Sequence, residues 1–73
     1  MKFKPGDIVE ASHVYRVIKT ALHRIPLHEN IQLEIIKGEK TATFEASYVV
    51  KNIKTGNIEP TQYWQDELTL TQK

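Results

Sequence analysis

Three histidines, His13, His23 and His28, with Glu29 beside the last, are the side chains here best suited to holding a metal. A closed metal site needs three or four donors in fixed geometry. The His-x4-His spacing, in a segment that also contains Pro26, matches no established ligand signature, so these histidines read as solvated loop residues. For acid–base or nucleophilic chemistry the available groups are Asp7, Glu10, Asp66 and Glu67, with Ser12 and Ser47 as hydroxyls. No motif pairs them. Asp7 follows Pro5-Gly6 and is expected to tie down that turn through nearby amides, while Asp66 and Glu67 are expected to cap a short turn or stay in water. A domain of this size also has little room for a ligand pocket. The reading is non-catalytic, with no metal site and no cofactor or small-molecule substrate.

Binding surfaces are better represented. Tyr63-Trp64 is an adjacent aromatic pair, and in an extended segment neighbours point opposite ways, so one can fill a core while the other faces out. Trp64 is expected to be the core staple and Tyr63 the exposed anchor. Leu22, Ile25 and Leu27 lie in a segment that reads as a loop, so they must be packed or offered to a partner. A second resource is basic: Lys2, Lys4, Arg16, Lys19, Arg24, Lys51 and Lys54, with Tyr15 available to stack on a base. Carboxylates interleave with these cations, which favours a mixed, solvated surface over a nucleic-acid face.

The chain has 73 residues, 40% of them hydrophobic and 26% charged, which is enough for one small domain spanning 1–73 and no second core. It has no cysteine, which removes disulfides and thiolate metal sites and suits a reducing compartment. Its longest apolar run is Tyr48-Val49-Val50, far short of a signal or a membrane span, so a cytoplasmic protein is expected. The formal net charge of +1 conceals a gradient. Residues 1–28 sum to +3 and residues 55–72 to −3, so terminal strands placed side by side would attract each other.

The elements that must position these groups are short and β-rich. Phe3-Lys4-Pro5-Gly6-Asp7 is a turn signature, Ile8–Ala11 a first strand, and Ser12-His13 a connection. Val14–Thr20 is dense in β-branched and aromatic residues and reads as strand. The alternative is an amphipathic helix over 13–25, since Val14, Val17, Ile18, Ala21, Leu22 and Ile25 also recur at helical spacing. Residues 21–30 read as loop, 31–37 as a strand of period two, and 37–40 as a polar turn. Residues 44–54 form a long strand, closed by a tight turn at 54–57 that returns through Ile58-Glu59 until Pro60. A 3₁₀ turn within 63–67 and a last strand at 68–71 complete the order.

Several pieces of this sequence form a recognisable order: Phe3-x-Pro-Gly-Asp7-Ile-Val9, Tyr15-Arg-Val-Ile18, Tyr48-Val-Val-Lys-Asn-Ile-Lys-Thr-Gly56-Asn-Ile58 and Asp66-Glu-Leu68. It resembles small SH3-like barrel proteins of bacteria and their prophages. The resemblance covers about the first 18 and last 26 residues and leaves the middle without a counterpart. It implies a mainly β fold, a small SH3-like barrel of about five strands with a 3₁₀ turn before the last; an α+β domain with the 13–25 helix is the alternative. The Ala-Leu-Tyr-Asp-Tyr opening of eukaryotic SH3 domains is missing, and so is the glycine-rich turn of RNA-binding ribosomal barrels. The functional expectation is a protein-interaction module that engages another protein or itself, through Leu22, Ile25, Leu27, Tyr63 and Trp64. A nucleic-acid-binding barrel is the alternative.

Overall fold

The computed structural model describes residues 2–40 and 46–72, and the fold is mainly β. Strands β1 (Ile8–Ile18), β2 (Ala21–Lys40), β3 (Ala46–Asn52), β4 (Tyr63–Trp64) and β5 (Thr69–Gln72) form one antiparallel sheet in the order β4-β3-β2-β1-β5. A 3₁₀ turn, Gln65–Glu67, separates β4 from β5. Among the described residues there is no α-helix.

The helical alternative over 13–25 is therefore excluded, and the reason is pairing. Val14↔Ile25, Arg16↔His23 and Ile18↔Ala21 are rungs of a β1–β2 ribbon, which suits β-branched residues better than a helix would. The loop expected at 21–30 is likewise strand. Its turn went unmarked because the two loop residues are Lys19 and Thr20, at φ 52° and 74°, in positions that normally call for Asn-Gly. Both hold left-handed backbone that a side chain disfavours, threonine most of all. The double replacement Lys19→Asn, Thr20→Gly should raise stability by about 1–2 kcal/mol, seen as a higher urea midpoint with an unchanged slope. An unchanged or lower midpoint would show that the tip carries no strain.

A second departure sits midway along the ribbon. The register runs to Ala11↔Ile31 and resumes at His13↔Pro26, so residues 27–30 of β2 stand opposite Ser12 alone. This wide bulge replaces the expected Ser12-His13 connection and bends the ribbon without ending either strand. Beyond it, residues 13–18 and 21–26 form a two-stranded arm.

Below the bulge lies the core. Phe3, Val9, Ala11, Leu33, Ile35, Ala46, Tyr48, Val50, Tyr63 and Leu68 are buried together. The alternation of Leu33 and Ile35 inward with Gln32 and Glu34 outward follows the period of a half-buried strand. Residues 37–40, expected to turn, instead extend β2 and pair with β3 from Lys37↔Val49 to Lys40↔Ala46, with a bulge at Ile36. Of the long strand expected over 44–54, residues 46–52 are strand, and Phe44 lies outside the described residues. The turn after it is fastened by Asn52, whose Oδ1 accepts the Lys54 and Thr55 amides at 2.9 and 3.3 Å, with Gly56 at φ 78°. The return contributes one bridge, Lys51↔Ile58, in place of a strand. At the entrance to β1, Asp7 Oδ2 accepts the Lys4 amide at 3.1 Å and ties the Pro5-Gly6 turn. The last strand begins at Thr69, one residue later than expected, since Leu68 turns into the core.

Candidate functional site

Two features stand out against this frame: an arm that carries apolar side chains into solvent, and a polar clasp at its base. On the arm, Val17 pairs with Leu22 and Ile18 with Ala21. Their exposures are 61% for Val17, 48% for Ile18 and 50% for Leu22, whereas the core of this small domain excludes water almost completely. Partners directly opposite on a ribbon share a face, so Val17 and Leu22 form one apolar patch next to Tyr15 and Arg24, and Ile18 points to the other face. Ile25 and Leu27 are half-buried near the bulge.

The clasp is centred on Glu67. Its Oε2 accepts the Tyr15 hydroxyl at 2.5 Å and meets His13 Nε2 at 2.6 Å, while its Oε1 accepts the Trp64 amide at 2.8 Å. The carboxylate thus joins the arm to the 3₁₀ turn. Tyr63 adds a further tie, donating its hydroxyl to the His13 carbonyl at 3.0 Å. The His13, Tyr15 and Tyr63 rings pack mutually at centroid distances of 5.2–5.4 Å, and Arg24 Nη2 lies 3.4 Å from His13 Nδ1. On the neighbouring rung Arg16 Nη1 reaches both the Tyr15 carbonyl at 2.7 Å and buried Glu59 at 2.8 Å.

These contacts set the titration of the cluster. Burial alone would raise the Glu67 carboxyl, but hydrogen bonds from Tyr15, the Trp64 amide and His13 outweigh it and hold the group below its ordinary value. Burial, followed by the hydrogen bond to Glu67 and the charge of that carboxylate, pushes the Tyr15 phenol up. Tyr63 is pushed up further, by burial first and then by Glu59. All three shifts favour the charge states drawn here near neutral pH.

Tyr63 is completely buried and Trp64 is 43% exposed, the reverse of the expected assignment. The register decides it, because Tyr63 stands opposite the core residue Tyr48 and so shares its face, leaving Trp64 beside Ser47 on the other. His13 is buried, not a solvated loop residue, whereas His23 and His28 are exposed. The small domain also carries clefts on both flanks of the bulge. One, of about 720 Å³, has Leu27, Ile31 and Ile53 among its lining residues with Glu10, Asn30 and Lys54. The other, of about 390 Å³, runs past Ser12, His13, Arg24, Asp66 and Glu67. Among the described residues no group of three or more His, Cys, Asp or Glu could hold a metal.

Several of the cations named for the alternative nucleic-acid face have partners within the chain. Arg16 pairs with Glu59, Lys51 pairs with Glu34 at 3.2 Å, and the Lys2 ammonium sits 5.4 Å from the Phe3 ring centre. Lys4 and Lys54 are exposed at turns, and Tyr15 is committed to Glu67 instead of offering a stacking face. Lys19 and Arg24 remain on the arm. What residue types alone missed is the solvent exposure of Val17 and Ile18 and the convergence of His13 and Tyr15 on Glu67. The His13-x-Tyr15 spacing holds half of the clasp; its other half lies more than 50 residues away.

Among the described residues no helix is long and apolar enough to cross a membrane. Comparison with family models, curated proteins and solved structures finds no match to this chain.

Proposed function

We propose that the chain is a non-catalytic interaction module whose β1–β2 arm docks onto a partner protein offering an apolar surface edged with carboxylates. The observation that carries this reading is the exposure of Val17 and Leu22, paired on one face of the ribbon beyond its buried base at His13 and Val14. Burying such side chains against a partner would gain roughly 1.5–3 kcal/mol each before the costs of association. Charge selects the kind of surface. Residues 12–28 include Arg16, Lys19 and Arg24 and no Asp or Glu, so carboxylates at the rim of the partner would be attracted and basic surfaces refused. Trp64, exposed on the edge strand β4 and tied through Glu67 to the base of the arm, is available as a second anchor. A small SH3-like barrel is supported by the strand order β4-β3-β2-β1-β5 with a 3₁₀ turn before the closing strand. A reducing, cytoplasmic setting agrees with the lack of cysteine.

The test is the double variant Val17→Ser, Leu22→Ser, which touches exposed positions only and should keep stability within about 0.5 kcal/mol. Wild-type and variant chains, immobilised after circular dichroism shows both folded, are exposed to the same lysate. Loss of the retained proteins from the variant is the expected result. Identical retention by both chains would overturn the reading. Salt-sensitive binding of mixed oligonucleotides by both chains, abolished by Lys19→Glu, Arg24→Glu, would replace it with nucleic-acid recognition.

A further inference from the structure

The arm has two outer edges, and they differ. In a hairpin with a two-residue loop the closing pair exchanges both backbone hydrogen bonds, and the rungs alternate from there. With Ile18↔Ala21 as closing pair, residues 14, 16 and 18 bond to 25, 23 and 21. Residues 13, 15 and 17 on β1, and 22, 24 and 26 on β2, therefore direct their amides and carbonyls outward.

On the β1 side the chain occupies two of its outward carbonyls and leaves only the Val17 end open. The His13 carbonyl accepts the Tyr63 hydroxyl at 3.0 Å, and the Tyr15 carbonyl accepts Arg16 Nη1 at 2.7 Å. On the β2 side nothing comparable is present among the described residues. Strand β3 pairs with β2 only from Leu33 onward, with one further bond from the Ile53 amide to the Gln32 carbonyl. Leu22 and Arg24 thus each present a donor and an acceptor at an exposed edge, and Pro26, which has no N–H, ends the run. Unprotected edge groups of this kind are a template for another strand.

Resting on the docking function given above, we propose that the Leu22–Arg24 edge takes an extended, carboxylate-bearing segment of the partner protein by strand addition. The segment's backbone pairs with the amides and carbonyls of Leu22 and Arg24, and its carboxylates meet Lys19 and Arg24. Alternate side chains of the added strand fall beside Leu22, with Val17 one strand further on the same face. The charge pattern argues for this occupant over a second copy of the chain. Antiparallel pairing of two identical edges would set His23 against His23 and bring two Arg24 side chains into an interface to which residues 12–28 bring no carboxylate.

The probe is a capped seven-residue peptide of alternating valine and glutamate, titrated into the ¹⁵N-labelled chain, with a valine–lysine peptide as control. The expected result is salt-sensitive shifts centred on the Leu22 and Arg24 amides, slowed hydrogen exchange at those two positions, and no response to the lysine peptide. Leu22→Pro removes an outward donor without touching the ribbon's own ladder and should weaken binding about tenfold or more. Arg24→Pro does the same one rung away and serves if the first variant fails to fold. Val17→Ser separates the two ideas, since it removes apolar face and leaves the edge intact. Binding retained in Val17→Ser and in Leu22→Ser, and lost in Leu22→Pro, supports strand addition. Binding lost in Val17→Ser and retained in both proline variants overturns strand addition while leaving apolar docking standing. No shift at millimolar peptide, shifts centred elsewhere, or an unliganded chain that sediments as a dimer with Leu22 and Arg24 already protected would each overturn it.

Discussion

Replacing Glu67 with glutamine should lower folding stability by about 2–3 kcal/mol, the scale of losing charge-assisted hydrogen bonds in a partly enclosed site. One carboxylate receives the Tyr15 hydroxyl and the Trp64 amide and faces His13 Nε2, so a neutral amide, with one oxygen and a donor in place of the second, cannot satisfy all three. The same group sets a pH dependence. Because the folded carboxyl lies below its ordinary value, the unfolded chain takes up the proton first on acidification. The contribution of Glu67 is present above the ordinary carboxylate range and is lost as pH falls through the folded value. Between about pH 5 and pH 3 the wild type should therefore lose stability more steeply than Glu67→Gln, and the two should converge at the acid end. Urea midpoints measured across that range decide it. Parallel curves would mean that Glu67 is no clasp.

The second large effect is expected at Tyr63. Truncation to alanine empties the centre of the core and should cost about 3–5 kcal/mol. For a domain whose total stability is expected at roughly 4–11 kcal/mol, that removes from about a quarter to all of the margin, read as a lowered urea midpoint. Tyr63→Phe isolates the hydroxyl. It keeps the ring stack and strips the His13 carbonyl of its partner, at a cost of about 1–2 kcal/mol. The raised titrations of Tyr63 and Tyr15 also have a sign: the unfolded chain releases these protons first, so stability is full below about pH 10 and falls above it. Tyr63→Phe should flatten that alkaline decline. A midpoint equal to wild type for the phenylalanine variant would show that the hydroxyl does not hold the arm.

The readability of the fold from residue types varied with the signal each element carries. The alternation of Ile31, Leu33 and Ile35 and the Thr55-Gly56-Asn57 turn speak directly, since period two and turn glycines are local. So does the 3₁₀ turn after Tyr63-Trp64. The arm was harder because Lys19-Thr20 is poor turn chemistry, and a hairpin without its usual turn residues looks like the start of a loop. Pro26 and the four residues after it look like loop chemistry, yet Pro26 pairs with His13 and residues 27–30 form a bulge and not a connection. Size favours burying the tryptophan of the Tyr63-Trp64 pair, while one register choice on β4 buries the tyrosine instead. The clasp could not be read locally, as it depends on which strands lie side by side.

The pairing of β1 with β5 has a mechanical consequence. The strands run antiparallel with Ile8 opposite Gln72, so the points at which the chain enters and leaves the sheet lie together at one end. A load applied between these points opens the rungs in succession, as a zipper does, and each rung bears the load alone. Tension between the Lys19-Thr20 tip and Gln72 instead runs along β1 and shears several rungs together. The same few hydrogen bonds yield easily in the first direction and resist in the second, so a pull transmitted through the arm tip meets the stiffer response.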